Sequence, residues 1–168
     1  MNRLCLTLLT AGGLLTALHG ASAAPVPPAD RTFMTKAAEG GNAEVALGRL
    51  AAARGGSPAV RQFGRRMISD HTKANTDLSR VAMQKAIILP RRIAPEAVPL
   101  RARLSHLSGP SFDRVYTAAM IADHEEDVSE FRKEARSGKD PAVSAFAART
   151  LPTLQMHLTM IRRIARHQ

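Results

Sequence analysis

GGSPAVRQF and GKDPAVSAF stand 83 residues apart, and each runs from a glycine through a capping residue to Pro-Ala-Val and a phenylalanine. Ser57-Pro58 and Asp140-Pro141 each place an N-cap side chain before a proline at the first helical position. A long helical pattern that stops on glycine and restarts within three residues has to fold back antiparallel to itself. The chain therefore contains two helical hairpins, either a duplicated unit or the same cap chemistry reached twice. Helical segments are expected over residues 31–54, 57–87, 111–136 and 140–168. Asp30 is the expected N-cap of the first, and Pro152 is expected to bend the last. Between the hairpins, residues 88–110 hold four prolines and form a crossover, with one short helix expected around Leu100 to Leu107. Two hairpins with one long connection define an all-α fold, a ferritin-like four-helix bundle with a long crossover between helices 2 and 3.

Residues 1–23 carry an early Arg3, an apolar run and small residues ending Ala21-Ser22-Ala23, the pattern of a signal peptide cleaved near Ala23. A proline-rich leader over residues 24–29 follows, and the bundle domain is expected over residues 30–168. The apolar run is too short to span a bilayer well, and no transmembrane segment is expected in the mature chain. The one cysteine, Cys5, lies in the signal, so neither disulfides nor thiolate metal sites are available to the mature protein. Loss of Arg3 lowers the formal charge of +10 to +9. An exported chain seldom meets nucleic acid, so the expected setting is the periplasm and the expected partner the anionic cell-envelope surface. The plainer reading is that this charge keeps the protein soluble.

The histidines carry the chemistry. At about 100° per residue, His71 falls among Val60, Gly64, Met67, Ile68, Leu78 and Ala82, with Arg65, Arg66 and Asp77 on the far side. The same geometry puts His124 among Met120, Ile121, Val128 and Phe131, and His157 among Phe146, Leu154, Met160 and Ile161. Glu44 shares the inner face of the first segment with Phe33, Ala37, Gly48 and Ala51. Asp127, one turn after His124, lies at about 60° from the centre of that stripe and can turn inward. Asp70 and Asp123 fall at the stripe edges, facing solvent or arginine, or supporting a neighbouring ligand. At 1.5 Å per residue, Glu44 and His71 lie about 17 and 22 Å from their turn, and His124 and His157 about 22 and 28 Å from theirs. With the two turns at opposite ends of the bundle, all four groups gather near its middle.

AEGGNAEVALGRLA, VRQFGRRMISDHTKA, FDRVYTAAMIADHEEDVSEF and ARTLPTLQMHL resemble the exported bacterial family called domain of unknown function 4142, in the ferritin-like superfamily. The resemblance runs from about Asp30 to Ile164, and it rests on the Asp-His pairs at 70–71 and 123–124 and the late Leu-Pro and His157 in combination. It implies a four-helix bundle in the envelope or periplasm and no established activity. Well-studied ferritin-like enzymes carry Glu on two helices and Glu-x-x-His on the other two. This chain has no such pair at its central level, which argues against a carboxylate-bridged di-iron centre.

Two functions follow from the residues. Glu44, His71, His124, His157 and Asp127 are candidate ligands for one transition-metal ion, Zn, Fe, Mn or Cu. Met67 and Met120, each four residues before a histidine, and Met160, three after His157, would favour Cu(I) as thioether donors, although methionine is also ordinary core filler. The alternative is a structural or interaction module of the envelope, with the histidines as a buried polar network bonded to Glu44, Asp127, Thr117 or Thr150. No Ser-His-Asp, phosphate-loop or paired-carboxylate pattern points to catalysis.

Overall fold

The computed structural model describes residues 25–168, and the expected signal peptide lies outside the described residues. Five helices follow in order: α1 Pro28–Arg54, α2 Pro58–Gln84, α3 Ala97–Ser105, α4 Gly109–Ser137 and α5 Pro141–Ala165. Among the described residues there is no strand, only an isolated bridge between Gly55 and Gly109. The four long helices form the bundle, with α1 against α2, α4 against α5, α2 against α5 and α1 against α4. The short α3 lies over α1 and α4. Phe33, Met34, Leu47, Phe63, Met67, Phe112, Tyr116, Phe146 and Leu154 build one continuous core.

Helix starts follow the caps read from the sequence, with one exception. Ser57 accepts from the Val60 N–H at 3.1 Å, and Asp140 accepts from Ala142 at 2.9 Å and Val143 at 3.3 Å. The first helix, however, begins at Pro28 behind Pro27, with no side-chain cap, so Asp30 does not cap it. Proline is preorganised for the first turn and lacks the N–H that a cap would satisfy. Asp30 turns instead to the other hairpin, where its Oδ2 accepts from the backbone N–H of Lys139 at 2.9 Å and of Asp140 at 2.5 Å. Asp113, near the start of α4, does the converse. Its two oxygens accept from Gly56 and Ser57, each at 2.8 Å. Each hairpin thus closes the turn of its partner, using charge-assisted bonds to N–H groups that have no intrahelical acceptor.

The second helix ends at Gln84, three residues short of the expected Ile87. Ala86 adopts φ 51°, and the Ile87 N–H reaches back to Ala82 O at 2.9 Å while Ala86 N–H bonds Met83 O at 3.2 Å. This is a Schellman stop with alanine where glycine is usual, fastened by the buried Ile87. The crossover then binds α1: Ala94 N–H donates to Glu39 O at 3.1 Å, and Asn42 Nδ2 to Arg92 O at 3.2 Å. The short helix in it begins three residues and ends two residues earlier than expected, and it buries Leu104. Pro152 lies inside α5.

Glycine sets how closely α1 and α2 approach. A Cβ at Gly48 would stand 2.8 Å from Gly64 O, and one at Gly64 would stand 2.7 Å from Gly48 O. The two backbones therefore touch one turn beyond Glu44, which draws the stripe bearing His71 onto the face bearing Glu44.

Candidate metal centre

Each long helix contributes one buried polar group to the middle of the bundle: Glu44 from α1, His71 from α2, His124 from α4 and His157 from α5. The ring centroids of His71 and His124 are 5.9 Å apart, those of His71 and His157 5.3 Å, and those of His124 and His157 5.5 Å. Phe63 packs against two of them, 6.4 Å from His124 and 6.0 Å from His157. One nitrogen from each ring lies within 4.8 Å of the others.

The tautomers follow from the outer partners. His124 Nδ1 lies 3.0 Å from Met120 O, a carbonyl that can only accept, so Nδ1 carries the hydrogen. His157 Nε2 donates in the same way to Asp70 Oδ2 at 2.9 Å. His71 Nδ1 stands 2.7 Å from Glu44 Oε2. The three remaining nitrogens, His71 Nε2, His124 Nε2 and His157 Nδ1, are buried and without a hydrogen-bond partner, as is Glu44 Oε1. Each ring is therefore held at one nitrogen by an oxygen and keeps a buried lone pair on the other, the arrangement that metal-bound histidines use.

Electrostatics keep those lone pairs free. Burial lowers His71 to about 4 and His157 to about 4, the latter against the pull of Asp70. Burial, with His71 and His157 nearby, lowers His124 to about 3. All three rings are neutral at pH 7. Burial, and secondarily Asp123, pushes Glu44 well above the usual carboxylate range. Its Oε1 faces His124 Nε2 at 3.4 Å without a hydrogen bond. A carboxylate oxygen opposite a nitrogen lone pair calls for a cation between them, a proton or a metal.

Glu44 joins a second set of donors, with His124 and Asp123, whose atoms also lie within 4.8 Å of one another. Asp123 opens to solvent in a recess where surrounding protein still raises it to about 6, through burial first. Asp127 belongs to neither donor set. It lines a small cavity of about 20 Å³ beside Glu44 and His71, and burial followed by Glu44 pushes its pKa well up. That cavity has room for about one water. Thr117 and Thr150 bond backbone carbonyls of their own helices rather than histidines. Met67 and Met120 are fully buried on the same stripes.

Asp70 and Asp123 carry more of this site than stripe-edge residues usually do. Asp70 meets an arginine, Arg66, at 3.2 Å and also holds His157. Each directly precedes a core histidine, and that repeated Asp-His pair was the available signal.

Fold and site together define a ferritin-like four-helix bundle with a three-imidazole core. The chain belongs to the family described as Domain of unknown function (DUF4142), which it matches over residues 15–164. Among solved structures it is similar to a DUF305 fragment from Deinococcus radiodurans, with a TM-score of 0.76 at 15% identity. That likeness covers 86% of this chain and 99% of the fragment, and it concerns the fold. A search of curated proteins returned no match. No described helix is long and apolar enough to cross a membrane.

Proposed function

We propose that the protein binds one transition-metal ion, Zn, Fe, Mn or Cu, through His71 Nε2, His124 Nε2 and His157 Nδ1. The observation that carries this is the convergence of three buried imidazoles, one nitrogen of each within 4.8 Å of the others, with each ring held at one nitrogen by an oxygen and without a hydrogen-bond partner at the other. Three neutral nitrogens suit a tetrahedral ion with a fourth position for water or for Glu44. At metal–nitrogen distances of about 2.0–2.1 Å the donors would stand about 3.4 Å apart, compatible with a cluster in which one nitrogen of each ring lies within 4.8 Å of the others. The signal-like N-terminus supports a periplasmic setting, and the basic surface supports contact with the anionic envelope.

A buried polar network is the competing reading, and the raised Glu44 favours it in one respect. A neutral Glu44 donates from Oε1 to His124 Nε2 and so satisfies two of the four partnerless atoms with one proton. His71 Nε2 and His157 Nδ1 still lack a donor, and leaving two buried acceptors unpaired costs roughly 1–3 kcal/mol each. A metal satisfies all three imidazoles at once.

The test is metal analysis of protein purified from the periplasm, followed by titration of chelator-stripped protein with Zn(II), Cu(I), Cu(II) and Co(II). A stoichiometric ion that His71→Ala loses supports the site. Failure to take up any of these ions, with His71→Ala merely less stable, leaves the network reading in its place.

A further inference from the structure

A cleft of about 290 Å³ lies between α1, α3 and α4. Six carboxylates line it, Glu39, Glu96, Asp123, Glu126, Asp127 and Glu130, together with one cation, Lys36. Glu39 is paired with Arg92 at 2.6 Å and Glu130 with Lys36 at 3.1 Å. The other four have no cationic partner within ion-pair reach among the described residues. This recess is thus strongly negative on a chain whose formal charge is +10. Charge of one sign gathered in a low-dielectric cleft concentrates counter-ions and speeds their arrival.

A collection of acids does not by itself make a site, but the inner end of this cleft meets a buried and partnerless one. Glu44 is 3% exposed and its Oε1 lacks a hydrogen-bond partner. Its donor atom lies within 4.8 Å of those of Asp123 and His124. Asp123 belongs both to the cleft wall and to this triad, so it joins solvent to the core. His124 in turn belongs to the three-imidazole set. The donors form a continuous series from the cleft, through Asp123, Glu44 and His124, to His71 and His157.

We propose that the acid-lined cleft is the entry route for a divalent cation, and that Asp123, Glu44 and His124 form an outer binding position on that route. Two carboxylates and one imidazole suit a divalent ion of hard or borderline character. Glu44 and His124 are shared with or adjacent to the inner set, so an ion moves inward by exchanging Asp123 for His71 and His157 without losing all its ligands. This rests on the metal-binding reading of the inner site.

The experiment uses chelator-stripped full-length protein, Co(II) as the probe, equilibrium titration for stoichiometry and rapid mixing for loading rate. Wild type is expected to take one tight equivalent and a second, weaker one held by Asp123 and Glu44 alone, since His124 Nε2 then stays with the inner ion. Asp123→Asn should keep the tight equivalent to within about threefold, lose the weaker one and load about tenfold more slowly. Glu126→Gln, on the exposed cleft wall, should slow loading by about two- to threefold with both equivalents retained, and it keeps the test available should Asp123→Asn not fold. Wild-type loading rates and two equivalents in Asp123→Asn would overturn the outer position while leaving the inner site standing. Loss of both equivalents in Asp123→Asn would also overturn it, by making Asp123 a ligand of the tight site. Wild type that takes no Co(II) overturns both readings.

Discussion

Asp70 accepts a hydrogen bond from His157 Nε2 at 2.9 Å, and it is the residue immediately before His71. One turn of α2 therefore supplies one imidazole and fixes the ring of another, which arrives from α5. Arg66 holds the same Asp70 oxygen from the other side at 3.2 Å. Removing Asp70 should leave His157 in place but free to rotate and to change tautomer. Asp70→Ala is expected to weaken metal binding by about 10- to 100-fold and to cost about 1–3 kcal/mol of stability, because the buried His157 Nε2 loses its acceptor. Competition titration against a chelator of known affinity measures this. Affinity equal to wild type would remove Asp70 from the site.

The ring protonation states are directly observable. His71 and His124 should carry hydrogen on Nδ1 and His157 on Nε2, a pattern that nitrogen chemical shifts distinguish. All three should remain neutral at pH 6 in the metal-free protein, since burial lowers them to about 4, 3 and 4. The unfolded chain takes up these protons near the ordinary 6.5, the folded chain only near 4 or below. Between those values the unfolded state binds more protons, so these groups withdraw stability as pH falls through that window. Rings that titrate near 6.5 in the folded protein would contradict the buried, neutral arrangement.

Glu44 works in the opposite sense. Its folded pKa is raised, so its contribution is fully present below the unfolded value of 4.5 and is lost as pH rises. Glu44→Gln imitates the protonated acid, accepting from His71 and donating an amide hydrogen to His124 Nε2. The metal-free variant is expected to gain about 1 kcal/mol over wild type at pH 8, and little at pH 4. Urea unfolding at the two pH values gives the comparison. A variant less stable than wild type at pH 8 would mean that Glu44 is well accommodated there as an anion.

Gly64 tests how Glu44 and His71 are brought together. A methyl group there meets Gly48 O at 2.7 Å and the Ala52 N at 2.8 Å, both backbone atoms. Gly64→Ala should force α1 and α2 apart and cost about 2 kcal/mol or more, which chemical denaturation measures. It should also weaken metal uptake, because Glu44 and His71 lie on the two helices being separated. Unchanged stability would show that the helices have room to slide.

The bundle and its inward histidines were legible because helical periodicity and glycine-proline punctuation are local signals. The stop of α2 was not, because Ala86 takes a left-handed φ of 51° with no glycine to announce it. Asp30 was misjudged for a related reason: a carboxylate in a first turn reads as a local cap, whereas its partners lie 109 and 110 residues away. The repeat at 83 residues contained the answer, since Asp30 and Asp113 stand at that spacing and make equivalent bonds. Glu44 and Asp127 stand at the same spacing. Which edge aspartate reaches a histidine depends on how the helices are rotated against each other, and periodicity within one helix does not contain that.

The crossed aspartates have a consequence for how the molecule comes into being. The chain's first half ends one turn with backbone donors that only Asp113 satisfies, and the second half depends likewise on Asp30. Glu44 and His71 lie in the first half, and His124 and His157 in the second. Neither half, made alone, has a finished loop or a full set of donor atoms. During synthesis the four central groups therefore come together only when the last helix docks, so the middle of the bundle is assembled in the final step of folding.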